Sequence, residues 1–132
     1  MCLYLKSSKV RIAKEDIICY KFLVKEVGSY FTPYQSSLIE VGKLIEDTES
    51  LMIEKTSKRD FNFILYGGMF HTFKDIEAAR KDVRWFANNM SRVNEYVIFK
   101  CIIPKGTEYY EGTFEAYKCY ASKKLIISEV VV

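Results

Sequence analysis

The stretch YGGMFHTF, residues 66–73, brings together residue types that are suited to a ligand site. It contains the only histidine of the chain, His71, shortly after two adjacent glycines, Gly67 and Gly68. A neutral imidazole both donates and accepts hydrogen bonds, and glycines let a ligand approach backbone amides. The pattern predicts a turn in which His71 contacts a ligand. The alternative is a turn histidine that makes only a structural hydrogen bond.

A helical pattern follows this turn. Apolar residues recur at helical spacing between positions 76 and 90, which predicts an amphipathic helix over about 73–91, with Thr72 as its N-cap. The first N–H groups of a helix have no partner within the helix and form the positive end of its dipole. We therefore expect a phosphate or carboxylate to bind near Thr72 and His71.

The segment FTPYQ, residues 31–35, is a second candidate contact with a ligand. The ring of Tyr34 would stack on a base, and the hydroxyl of Thr32 would bond a ribose. The alternative is structural, with Pro33 stiffening the loop and Tyr34 covering the core.

The segment CYKFL, residues 19–23, is a third candidate, because it places Lys21 within an apolar strand beside Tyr20. A lysine in such surroundings must reach water or meet a negative partner. We expect Tyr20 and Lys21 to help hold an anionic ligand. An edge strand that directs the ammonium into water is the alternative.

The remaining patterns are mostly those of strands. The segments 16–27, 61–70, 94–112 and 113–132 are rich in β-branched and aromatic residues. These patterns predict one domain, 1–132, of the α+β class, with a mostly antiparallel sheet of five to seven strands and one long helix packed on one face.

Composition excludes several kinds of protein. The formal net charge of +3 is mild and spread along the chain, so we expect no nucleic-acid partner. Four cysteines without a C-x-x-C pair, and a single histidine, predict neither a metal site nor a cofactor. The N-terminus does not have the pattern of a signal peptide, and no apolar stretch has the length of a membrane helix. We expect a reduced protein of the cytoplasm.

Five segments in this order carry a resemblance to known proteins: IICYKFL, FTPYQ, VGK, GGMFHTFKDIEAA and VIFKCIIPKGTEYYEGTFEAYKCYASKKLII. The arrangement resembles small uncharacterised proteins of gut bacteria and their phages, over most of residues 14–128. This resemblance implies a phage context, with the host cytoplasm as the compartment if the protein is phage-encoded.

The segment IPKGTEYY is also similar to part of the ADP-ribosyltransferase-like domains, which bind NAD. In that family an early strand carries an Arg or His, where this chain has Tyr20 and Lys21. The Ser-Thr-Ser and Glu-x-Glu patterns of the family are missing here.

These observations lead to three hypotheses. The preferred one is a non-enzymatic binder of a small anionic nucleotide-like ligand, which in a phage context would sequester a host immune signalling nucleotide. The second is an ADP-ribosyltransferase-like enzyme acting on NAD or an ADP-ribose derivative. The third is an inhibitory protein–protein interaction module.

The end of the chain, KKLIISEVVV, predicts an apolar strand. Such a strand promotes aggregation if its edge stays bare. We therefore expect a homodimer or higher homo-oligomer with this strand at or near the contact.

Overall fold

One antiparallel sheet dominates the computed structural model, which describes residues 3–33, 37–56, 61–89 and 95–131. Within these ranges there are thirteen strands and a single α-helix, α1, Ile76–Asn89. The strands are β1 Leu3–Leu5, β2 Arg11–Ile12, β3 Ile17–Glu26, β4 Ser29–Phe31, β5 Leu38–Ile39, β6 Leu44–Glu46, β7 Met52–Lys55, β8 Phe63–Gly67, β9 Phe70–Phe73, β10 Glu95–Ile103, β11 Glu108–Phe114, β12 Tyr117–Ser122 and β13 Lys124–Val131.

The predicted α+β class with five to seven strands and one long helix is therefore wrong, because the described residues form a sheet-dominated fold. The long strands were anticipated, but seven of the thirteen have four residues or fewer. A strand that short is too brief for an alternating pattern to appear in the sequence. Its extended conformation depends on pairing with a neighbour distant in the chain.

Strands β3 and β10 form the centre of the sheet. They pair antiparallel from Ile17 opposite Ile103 to Lys25 opposite Glu95. The order along the main path is β6-β13-β10-β3-β9-β12-β11-β1-β8-β7, and β2 and β4 pair with β11 and β3 outside it. Cys19 and Cys101 face each other across β3 and β10 and are fully buried.

Helix α1 covers one face of the central strands. The ring of Phe86 packs edge-on against that of Phe22, with 5.6 Å between centroids. The predicted N-cap is wrong: Thr72 lies in β9 opposite Tyr120, and the helix begins only at Ile76, directly after Asp75. No helix in the described ranges has the length and apolar character needed to cross a membrane.

The C-terminal strand β13 pairs within the chain's own sheet. It runs beside β10 as far as Val131, and its start, Lys124–Ile126, pairs with β6 on the other side. This pairing shields the first half of the strand, and the predicted homo-oligomer stays a prediction.

Candidate functional site

A gap opens in the sheet where β3 changes its partner. On one side β3 pairs with β10 throughout, but on the other Tyr20 pairs with Phe73 of β9, and Val24 pairs with Phe31 of β4. Residues 21–23 lie between these two pairings. A cavity of about 430 Å³ occupies this gap, and we call it the cleft.

Lys21 lies in the gap and links it to β9. Its ammonium donates a hydrogen bond to the backbone carbonyl of His71, at 2.8 Å. The side chain is half-buried, and desolvation lowers the pKa of Lys21 below its ordinary value, opposed by the nearby carboxylate of Asp82. An ammonium has three N–H donors, so the bond to His71 leaves others for a bound molecule.

His71 is a neutral imidazole in this setting. Desolvation, together with the charge of Lys21, lowers the pKa of His71 to about 3. Its Nε2 lies 3.4 Å from the carbonyl of Gly68, and because a carbonyl only accepts hydrogen bonds, a bond between them requires the proton on Nε2. The buried Nδ1 keeps its lone pair and has no hydrogen-bond partner among the described residues.

The two glycines beside His71 are explained by packing against the segment that precedes β7. Gly68 has a φ of +77°, and a Cβ there would lie 2.9 Å from the carbonyl oxygen of Ser50. A Cβ on Gly67 would lie 2.8 Å from the sulfur of Met52. Gly68 therefore requires glycine, because its φ is positive and the contact is with backbone, whereas a side chain at position 67 would have to displace the side chain of Met52.

Five of the eight residues predicted to bind a ligand line the cleft: Lys21, Thr32, Gly67, Gly68 and His71. They come from three separate segments, 19–23, 31–35 and 66–73, and the change of partner along β3 brings these together. Thr32 also closes its own loop, since its hydroxyl oxygen accepts a hydrogen bond from the Ser37 amide at 2.9 Å.

The other three predicted residues have different positions. Tyr20 packs against the apolar cluster that also holds Ala78 and Ala79 of the helix. Thr72 is fully buried and adjoins the Cys19 thiol, outside the lining of the cleft. Tyr34 lies outside the described residues.

Sequence reasoning missed the acidic wall of the cleft. Four carboxylates line it: Glu46, Asp47, Glu49 and Asp82. The first three come from the run EDTE, residues 46–49, whose density of acidic residues was a usable signal. Asp82 had no such signal, because an acidic residue on an amphipathic helix normally faces water.

The carboxylates differ in how far the fold already uses them. Asp47 accepts hydrogen bonds from the amides of Met69 and Glu49, so it holds the turn after β8 against the end of β6. Glu46 and Glu49 are exposed at the rim. With His71 neutral, four carboxylates and one ammonium give the lining a net charge of −3.

Comparison of this chain with family models, curated proteins and solved structures finds no match. Within the described ranges, no group of three or more His, Cys, Asp or Glu side chains is placed to hold a metal ion.

Proposed function

We propose that the protein is a non-catalytic binder of a small nucleotide-like ligand, whose base and ribose enter the cleft. The observation that carries the proposal is the ammonium of Lys21 inside a gap in the sheet. Removing an ammonium from water is costly, and one carbonyl satisfies only part of its hydrogen-bonding capacity. A ligand acceptor would complete it.

The walls of the cleft suit a flat ring. Phe22, Phe70 and Phe73 line it together with Ile39 and Ile45. Such a lining, with a few polar groups to fix orientation, is typical of sites for small molecules. A ring nitrogen or carbonyl of a base would accept a hydrogen bond from Lys21, while the ring contacts the apolar walls.

The acidic rim constrains the rest of the ligand. Glu46 and Glu49 are exposed acceptors that would bond the hydroxyls of a ribose. The net charge of −3 disfavours a phosphate inside the cleft. The anionic part of the ligand would therefore extend into solvent, and the phosphate site expected near Thr72 is not part of this proposal.

Binding without turnover accords with the state of the side chains. The imidazole of His71 is neutral with Nε2 bonded to Gly68, and the carboxylate of Asp47 is held by two amides. Neither is arranged as a general acid or base facing a reactive partner. In the phage context that the sequence resemblance implies, such a binder would sequester a host signalling nucleotide.

The test is native mass spectrometry of freshly purified protein, followed by analysis of the extract after denaturation. Unchanged nucleotide in the extract supports the proposal, whereas a converted product would favour the ADP-ribosyltransferase-like enzyme. Adenosine, AMP and NAD are then titrated into wild type and Lys21→Met. We expect Lys21→Met to weaken binding by about tenfold or more, because a hydrogen bond from a charged donor is lost.

Lys25→Met is the matched control, since Lys25 lies four residues further along β3, outside the lining of the cleft. It should bind like wild type. Lys21→Met should remain folded, because removal of a desolvated charge offsets the lost hydrogen bond. Equal affinity of the two variants for every nucleoside compound would contradict the proposal.

A further inference from the structure

A second concave surface lies at the other end of the sheet, where β1 and β2 both pair with β11. Tyr4 pairs with Thr113, and a continuous ladder from there would place Ser8 opposite Tyr109. Arg11 lies opposite Tyr109 instead, so the segment between β1 and β2 has three residues more than uninterrupted pairing would need, and it forms a loop. Beneath the loop is a cavity of about 840 Å³, which we call the groove.

The groove is strongly basic. Among the described residues five cationic side chains line it, against two carboxylates, a net charge of +3: Lys6, Lys9, Arg11, Lys14 and Lys118 against Glu15 and Glu111. The four lysines are exposed, and the carboxylate of Glu111 engages Arg11 at 3.0 Å.

Aromatic rings lie among these charges. Tyr4 and Phe61 are half-buried in the lining of the groove, and Tyr109, also in the lining, packs edge-on against Tyr120 of the core with 6.0 Å between ring centroids. The rings of Tyr4 and Phe61 are 5.7 Å apart and tilted by 36°. Half-buried aromatic side chains surrounded by cationic ones provide the two features that proteins use to bind unpaired nucleotides, which are phosphate contacts and base stacking.

Against the expectation drawn from the mild net charge, we propose that the groove binds single-stranded nucleic acid, with the lysines contacting phosphates and the rings stacking on bases. Charge complementarity selects a polyanion, and the rings select one with flat faces that are free to stack. The bases of a duplex are stacked on one another and are not free to stack on the rings of the groove. An acidic peptide contains no bases. The size of the groove accommodates a short run of nucleotides.

The experiment measures fluorescence anisotropy of a labelled twelve-nucleotide oligothymidylate with the full chain, at about 50 mM salt and above. We expect saturable binding that weakens with salt. Lys6→Ala/Lys9→Ala should weaken binding about tenfold or more and reduce the steepness of the salt dependence by about 1.4, since two phosphate contacts are lost from a single strand. Lys43→Ala/Lys55→Ala is the control, with the same change of charge at exposed positions outside the groove.

Phe61→Leu separates stacking from charge, because it keeps an apolar side chain but removes the ring. It should weaken binding about fivefold or more while leaving the salt dependence unchanged. Three results would overturn the proposal: no binding of the oligonucleotide at low salt, equal losses in the two lysine pairs, or stronger binding of a duplex or of an acidic peptide.

Discussion

The cleft and the groove arise in the same way but differ in charge. Each forms where a strand changes its pairing, at β3 in the cleft and beside β11 in the groove. The cleft has a net charge of −3, and its one ammonium is half-buried and bonded to the backbone. The groove has a net charge of +3, mostly on exposed lysines.

This difference indicates what each surface is able to recognise. Charges held in fixed positions by the fold discriminate between small molecules by the placement of donors and acceptors. Exposed, flexible ammonium groups recognise a polyanion by charge and do so in a salt-dependent way. The same irregularity of a sheet therefore supports two kinds of binding, depending on which side chains the connecting segments supply.

The largest expected effect comes from substituting a closely packed glycine of the groove and comparing the result with the same substitution at a glycine of the cleft. A Cβ on Gly112 would lie 2.4 Å from the carbonyl oxygen of Tyr4, so Gly112→Ala must displace β1. We expect a loss of about 3 kcal/mol and a fall in Tm of roughly 10 °C, together with loss of oligonucleotide binding at the groove. Differential scanning calorimetry and anisotropy provide the measurements.

The matched variant is Gly68→Ala, which presses on the carbonyl of Ser50 and has a positive φ. It should disturb the cleft and leave the groove intact. If Gly112→Ala melts like wild type, β1 does not pack tightly against Gly112. If Gly68→Ala reduces oligonucleotide binding as much as Gly112→Ala, the two surfaces are not independent.

The next effect is a pH dependence specific to the cleft. The pKa of His71 is about 3 in the fold against 6.5 for the free side chain, so between these values only the unfolded chain binds the proton. The free energy of unfolding should therefore fall as the pH drops from 6.5 towards 3, by up to about 1.4 kcal/mol per pH unit from this group.

Gln at position 71 keeps a donor and an acceptor but does not titrate in this range. Urea unfolding of wild type and His71→Gln at neutral pH and at several values down to about 4.5 isolates the contribution. The wild type should lose stability more steeply than the variant. Parallel curves for the two proteins would show that His71 is not held in its neutral form.

The smallest expected effect concerns the groove. Glu111→Gln removes a carboxylate from the lining and frees Arg11 from its ion pair. Exposed pairs contribute about 0–1 kcal/mol, so the Tm should barely change. Oligonucleotide affinity should rise a few-fold, because the net charge increases by one. A fall in affinity would mean that Glu111 orients Arg11 for binding.

The sequence predicted the elements whose signals are local. The β-branched run at 16–27 became β3, and the apolar spacing after position 75 became α1. A strand such as β2, with two residues, gave no signal, because a two-residue strand has no periodicity and depends on its partner. That is why the strand count and the fold class were wrong.

The residues of the candidate site show the same distinction between local sequence signals and dependence on distant partners. Lys21 was a candidate because a lysine in an apolar strand is locally anomalous, and His71 because it is the only histidine. The prediction for Thr72 was wrong, because threonine is favoured both at helix N-caps and in strands. Pairing with Tyr120 places it in a strand. The acidic wall depended on long-range packing of β6 and α1.

Charge gives the clearest division between sequence and tertiary structure. Composition determines the net charge of +3, and the sequence already groups Lys6, Lys9, Arg11 and Lys14 within nine residues and carries the acidic run EDTE at 46–49. Only the folded sheet adds Lys118 to the first group around the groove and Asp82 to the second around the cleft. The reason is that the potential depends on distances in space, and strand pairing brings Lys118 to the same groove as Lys6 although more than a hundred residues separate them in the chain.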